Sequence, residues 1–184
     1  RRRRLTMPKR KIEISDYANE IIKALPKGVL LTSKADKINS MVIGWGTLGI
    51  NWSRPVIAVY VREGRYTKGQ LDKNPEFTVN VPIGEYDKRI IGVCGGKSGR
   101  DIDKIKEAGL TIVDSEEISV PAIKEFPLTL ECRVMYAQKQ DLSLLDEEIN
   151  STLYPQNIDG TAVGANRDPH TTYYGEIVSA YIIE

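Results

Sequence analysis

The stretch "MVIGWGTLGINWSRPVIAVYV", residues 41–61, contains Gly44-x-Gly46-x-x-Gly49, spelled like the glycine loop that grips a dinucleotide pyrophosphate. Such a loop works only where it closes a strand and opens a helix, because backbone N–H groups at the helix start hold the phosphate. Here the glycines run on to Pro55, which disfavours helix at the residue before it, and then to "VIAVYV", an apolar run of strand length. The segment therefore reads as consecutive strands of an antiparallel meander. Its glycines mark places where a strand bends or where something approaches the backbone closely.

Working outward, "GVLLTSKADKINSMVIGWG" reads as two strands joined by a polar turn near Ala35 and Lys37. Ahead of it, "SDYANEIIKALP" spaces Tyr17, Ile21, Ile22 and Leu25 as an amphipathic helix, with Ser15 as cap and Pro26 as stop. Beyond Val61, "RYTKGQLDKNP" gives one or two helical turns, and "EFTVNVP" alternates Phe77, Val79 and Val81 inward against polar neighbours. Two helices follow, in "EYDKRIIGVCG" and in "SGRDIDKIKEAG", the second with Ser98 as its expected cap. Strand patterns return in "LTIV", "PLTLECRVMYAQ" and "TTYYGEIVSAYII", where Tyr173 and Tyr174 must take opposite faces. Strands at both ends with helices inserted between predict a mainly β fold: a closed antiparallel split β-barrel with Greek-key-like connections, which leaves no exposed edge.

The chain has 184 residues, 26 basic and 25 acidic, for a net charge of +1, so no global field points to nucleic acid. The one basic cluster, "RRRRLTMPKRK", reads as a disordered or appended tail over residues 1–11, leaving residues 12–184 as a single domain. No apolar run approaches the roughly 20 residues of a membrane span, and no signal-peptide pattern follows the basic start. The expectation is a cytoplasmic protein without nucleic-acid or membrane partners. Cys94 and Cys132 lack Cys-x-x-Cys spacing and have only His170 to join them, so they read as free, buried thiols, with no metal site.

Three polar or glycine-rich clusters carry candidate chemistry. Asn39 and Ser40 precede the glycine strand; Arg62, Arg65, Tyr66 and Thr67 follow a buried strand; Lys97, Ser98, Gly99 and Arg100 sit in "GGKSGRD" at an expected helix start. Arg and Lys supply charge, hydroxyls supply hydrogen bonds, and helix-start N–H groups add a positive field, so the last two clusters suit a phosphate.

In this order the segments resemble the flavin reductase-like family, and within it the flavoredoxins, with the FMN-binding split-barrel fold. The resemblance rests on residues 39–67, "EFTVNVP", "CGGKSGRDIDKIKEAGLT", "PLTLECRV" and "HTTYYGEI". It implies a homodimer that binds FMN noncovalently and passes electrons through the flavin from NADH, NADPH or a redox protein partner. It implies that Asn39, Ser40, Met41, Val42, Ile43 and Gly44 run along the flavin ring. Arg62, Arg65, Tyr66, Thr67, Lys97, Ser98, Gly99 and Arg100 are implied at the phosphate and ribityl chain, with Asn80 and His170 as further contacts. Val42 stands where family members often have Thr, so a side-chain hydrogen bond to the ring is expected from Ser40 or from backbone instead.

No catalytic residue is required, because the flavin carries the chemistry; His170 is the weak candidate, and an orienting role suits it better. The reading is an NAD(P)H-dependent flavin reductase-like oxidoreductase. The alternatives are a flavoredoxin-type electron carrier and a noncatalytic flavin-binding barrel.

Overall fold

The computed structural model describes residues 7–184. In chain order the elements are β1 (Lys9–Lys11), α1 (Ile14–Ala24), β2 (Val29–Lys34), β3 (Ile38–Ile43), β4 (Gly46–Asn51) and β5 (Arg54–Arg62). Then come α2 (Tyr66–Lys73), β6 (Glu76–Val81), α3 (Arg89–Gly96), α4 (Lys104–Glu107), β7 (Ile112–Val113), β8 (Ala122–Ile123), β9 (Leu128–Lys139), α5 (Glu147–Leu153) and β10 (His170–Ile183).

One antiparallel sheet runs β3-β2-β6-β9-β10-β5-β4, with β1 on the far half of β10. Its ends are consecutive strands, β3 and β4, joined only by Gly44 and Trp45, and no ladder connects them. The mainly β, antiparallel expectation holds, but the sheet is not closed. The chain passes from one edge to the other through Gly44 and Trp45 without forming a hairpin, and α3 and α4 pack against β3 in place of a strand.

Alternation decides the interior. In β2, Val29 and Leu31 join the main core with Val59, Phe77, Val79, Leu130 and Tyr173, while Leu30 faces a second cluster with Ile90, Cys94, Ile123 and Phe126 under α3. The polar partners expected outside β6 are therefore buried too: Thr78 and Asn80 are fully enclosed beneath β7 and β8. Both cysteines are free and buried. Tyr173 is buried with its hydroxyl donating to Asp72 at 2.7 Å, and Tyr174 stands half-exposed on the other face.

Several boundaries move. The Arg1–Thr6 part of the expected tail lies outside the described residues, but Lys9, Arg10 and Lys11 pair with Ile183, Ile182 and Tyr181, so they belong to the sheet and not to a tail. Lys9 is half-buried with its ammonium 4.6 Å over the Tyr181 ring, Arg10 and Lys11 are exposed, and the backbone extends the ladder of β10. Helix α1 is capped by Glu13, not Ser15, and α4 by Asp103, whose carboxylate accepts from Lys106 N at 3.1 Å. Residues 97–103 are instead a turn, with Ser98 O accepting from Asp101 N and Ile102 N. The β2–β3 turn is tied by one side chain: Gln70 Oε1 accepts from the N–H groups of Ala35, Asp36 and Lys37 at 3.0–3.3 Å.

Candidate flavin-binding cleft

Two adjoining cavities, of about 290 and 250 Å³, share Met41, Val42 and Arg65 and together form one cleft along β3. The larger half is basic. It brings together Asn39, Met41 and Val42, the turn and helix start at Arg65, Tyr66 and Thr67, and the turn at Lys97, Ser98, Gly99 and Arg100. The smaller half contains Ile43, Gly44, Trp45, Tyr60, Arg62 and His170. Residues 39–44 and the two basic turns, distant in sequence, thus converge because β2 and β3 form a hairpin while α2 and α3 both pack on β3.

Within the basic half, Asn39 is 1% exposed and its Oδ1 has no hydrogen-bond partner. Its amide makes only a long 3.5 Å bond to Thr67 Oγ1. A buried amide oxygen with no donor is an acceptor left open toward a ligand, such as a hydroxyl-bearing chain. Gly99 abuts it: a Cβ there would lie 2.4 Å from Asn39 Oδ1 and 2.6 Å from the Tyr66 ring, so only glycine admits this approach. The N–H groups of Tyr66 and Thr67 open the eight-residue helix α2 on the same wall and add a positive field.

The sequence missed Lys104. It is 4% exposed, lines the basic half, and donates to the carbonyl of Cys94 at 2.8 Å, with no carboxylate partner among the described residues. Burial, reinforced by Arg65 and Lys37, pushes its ammonium down to about 8. Burial likewise pushes the neighbouring Cys94 thiol up to about 11, so that thiol stays protonated and inert. Arg65 forms no ion pair or hydrogen bond through its side chain among the described residues, while Arg100 donates to Gly64 O at 2.9 Å and Lys97 pairs with Glu107 at 3.0 Å. Arg65 and Lys104 thus line this half with no acidic partner among the described residues. The expected helix start at Ser98 contributes no dipole, since that segment is a turn and Ser98 Oγ accepts from Arg100 N.

Three expected contacts are used elsewhere. Ser40 Oγ is bonded to Thr32 Oγ1 at 2.8 Å, and Asn80 donates to the same oxygen at 2.9 Å while accepting from Ile123 N at 3.1 Å. Both side chains satisfy the buried network beneath β7 and β8, and neither lines the cleft. Arg62 lines the smaller half, but its guanidinium donates to three carbonyls, Leu153 O at 3.0 Å, Asn166 O at 3.2 Å and Asp168 O at 2.6 Å. Of the three glycines, only Gly44 borders the cleft; Gly46 packs on Leu25, and Gly49 lies along another groove.

His170 is 7% exposed and stacks on Trp45 with ring centroids 5.1 Å apart. Gln140 Oε1 accepts from His170 N and from Tyr154 Oη, each at 3.0 Å, which commits the tyrosine proton to Gln140. The 2.7 Å contact between Tyr154 Oη and His170 Nδ1 then requires a proton on Nδ1. Burial, with Arg62 and Arg65 adding repulsion, holds the imidazole down to about 3, so it is neutral at physiological pH.

Residues 22–184 match the model of the flavin reductase like domain. The chain belongs to that family. A relative from Archaeoglobus fulgidus, itself uncharacterized, is 34% identical over 106 residues, covering 58% of this chain and 59% of the relative. The chain therefore matches about three fifths of that relative's length.

Flavoredoxin from Methanosarcina acetivorans has the same fold at a TM-score of 0.59 and 27% identity, over 85% of this chain and 68% of that one. An FMN-binding domain of a flavin reductases-like enzyme from Shewanella baltica superposes at 0.61, with 14% identity, over 97% and 79% of the two chains. The NADH:FAD oxidoreductase of Streptomyces globisporus C-1027 does so at 0.61 and 17%, over 95% and 88%. The fold of this chain is thus shared with a flavoredoxin and with an NADH:FAD oxidoreductase. Among the described residues no helix is long and apolar enough to cross a membrane.

Proposed function

We propose that this protein is an FMN-binding oxidoreductase that receives electrons from a reduced nicotinamide and passes them to an acceptor. The observation that carries the reading is the polarity of the cleft: a basic end with an open acceptor at Asn39 and a buried, unpaired cation at Lys104, continuous with a flatter end bordered by Met41, Gly44, Trp45 and His170. A phosphate suits the first, a ribityl chain the middle, and a planar ring the second. The residues present fit FMN.

When bound, the flavin supplies the two-electron chemistry. The chain's own residues bind and orient it. Arg65 and Lys104 neutralise the phosphate, Gly99 lets the basic turn reach Asn39, and Gly44 leaves the β3 backbone open to a flat ligand. Neutral His170, with its Nδ1 proton held by Tyr154, keeps Nε2 as an acceptor and does not deliver a proton. No acid or nucleophile of the protein is needed for the transfer.

A second copy of the chain is also part of the proposal. Trp52, Tyr136 and Tyr174 form an exposed aromatic cluster, with ring centroids 5.7–6.4 Å apart, beside Met135 and Ile50, which is 77% exposed on edge strand β4. Such a patch beside an unpaired edge favours association. Light scattering is expected to give a dimer for the wild type and a monomer for Tyr136→Glu.

Visible absorption decides the central claim. The purified chain with added FMN is expected to retain flavin on desalting and to bleach anaerobically with NADH or NADPH. Failure to retain flavin refutes the reading. Retention with bleaching only by a low-potential redox protein replaces the reductase with an electron carrier, and retention without bleaching by any donor leaves a flavin-binding barrel.

A further inference from the structure

The segment between β9 and β10, residues 140–169, carries no part of the sheet. After α5 it runs without regular structure across the mouth of the cleft: Gly160 and Thr161 wall the basic half, Gly164 and Ala165 the other. Its shape is held from within. Asn166 Nδ2 donates to Ala162 O at 2.9 Å, Asn166 Oδ1 accepts from Asp168 N at 2.9 Å, and Arg167 N donates to Ile158 O at 3.1 Å.

Two devices fasten it to the sheet. Arg62, at the end of β5, gathers the carbonyls of Leu153, Asn166 and Asp168 while its guanidinium lies 4.9 Å over the Tyr154 ring. Three charge-assisted bonds from one buried guanidinium fix both ends of the strap at once. The second device is a glycine contact. A Cβ on Gly160 would lie 2.4 Å from the Asp168 carboxylate, and one on Gly64 2.8 Å from it and 3.3 Å from Gly160 O. The strap tip is therefore seated directly on the turn that delivers Arg65, at the basic end of the cleft.

We propose that this strap closes the phosphate end of the cleft and restricts the site to a flavin carrying a terminal phosphate monoester, excluding flavins whose phosphate is esterified onward to a nucleoside. The inference rests on the flavin reading above. Arg62 is then a positioning residue: it shapes the wall without touching the ligand's phosphate. A dinucleotide needs an exit for its adenylate beyond the phosphate, and Gly160 and Thr161 wall the basic half together with residues 97–101, narrowing the space for one.

The test compares riboflavin, FMN and FAD binding to the full chain by fluorescence titration, with hydrogen exchange of residues 154–168 measured alongside. The variants are Arg62→Met, which removes the three carbonyl bonds, and Gly160→Ala, which pushes the tip off Asp168 without touching the barrel core. The wild type is expected to prefer FMN over FAD by about 100-fold, and each variant to lower that ratio by about tenfold while exchange in the strap accelerates. The FMN to riboflavin ratio stays near the wild-type value, because the phosphate ligands are untouched.

Equal FMN and FAD affinity in the wild type overturns the proposal. So does faster exchange with an unchanged FAD to FMN ratio, or unchanged exchange in both variants. If Arg62→Met fails to fold, Gly160→Ala alone carries the test. Absence of any flavin binding by the wild type refutes the underlying functional reading instead, and the proposal with it.

Discussion

Replacing Lys104 with Met separates the role of this side chain in binding from any role in folding. The lysine is 4% exposed, its ammonium's one hydrogen-bond partner among the described residues is the Cys94 carbonyl at 2.8 Å, and its surroundings add the positive charges of Arg65 and Lys37. Among the described residues no carboxylate offsets that burial. An ammonium pushed from 10.5 to about 8 penalises the folded state at neutral pH by about 3 kcal/mol, at about 1.4 kcal/mol per tenfold change in its protonation constant. Methionine keeps much of the apolar stem, removes that penalty, and leaves the Cys94 carbonyl without its donor at a cost of about 1–3 kcal/mol.

The two effects nearly offset, so urea unfolding of the ligand-free variant is expected within about 2 kcal/mol of the wild type. Phosphate binding has no such compensation. A lost charge-assisted bond is worth about 1.5–3 kcal/mol, so FMN affinity should fall by roughly 10- to 150-fold with riboflavin affinity nearly unchanged.

The pH dependence carries a sign. The unfolded chain binds more protons than the folded one between pH about 8 and 10.5, so stability of the ligand-free protein gains from this group as pH rises through that window. FMN binding draws the lysine back to its charged form, so affinity should decline above pH about 8 in the wild type and not in the variant. Equal losses for FMN and riboflavin, or an FMN change below about threefold, would show that Lys104 does not face the phosphate.

Gly99→Ala places a methyl 2.4 Å from Asn39 Oδ1 and 2.6 Å from the Tyr66 ring; it should cost about 1–3 kcal/mol in chemical denaturation and weaken FMN by displacing Asn39. Wild-type stability retained with full affinity would mean that the turn yields freely. Asn80→Leu breaks the bonds to Thr32 and Ile123, and should destabilise the fold by about 2–4 kcal/mol while leaving the FMN to riboflavin ratio unaltered; a selective loss of FMN would return Asn80 to the cleft. His170 takes up its second proton only near pH 3, against 6.5 in the unfolded chain, so stability should fall as pH drops through that window and fall less in His170→Asn. For the same reason reduction of bound flavin should show no inflection near pH 6.5, and an inflection lost in His170→Asn would contradict the neutral imidazole.

What could be read in the sequence follows from the range of the forces involved. Strand alternation and the Pro55 break act within a few residues, so β2 to β6 and the long β9 and β10 were legible, and the glycine fingerprint could be rejected outright. Whether β3 and β4 pair depends on how two consecutive strands meet neighbours at opposite ends of the sheet, and nothing local to Gly44 and Trp45 records that. The same limit applies to side chains. Ser40 and Asn80 are spelled like ligands but face a buried network formed with Thr32, on β2, and covered by β8, whereas Lys104 is spelled like a surface lysine and is driven inward by the packing of α3 and α4.

Arg62 shows the limit most clearly. Its place after a buried strand puts it beside the cleft, yet its guanidinium answers three carbonyls of residues 153–168, a stretch that beyond α5 carries neither alternation nor helical periodicity. Of the three glycines of the fingerprint, Gly44 links β3 to β4 and alone meets the cleft. The cleft is therefore walled by a strand whose pattern is local and by a strap held through Arg62 and through the Gly64 contact with Asp168, which are long-range. That division is why changes in the strap should alter which flavin is accepted, while changes along β3 should alter whether any flavin is held.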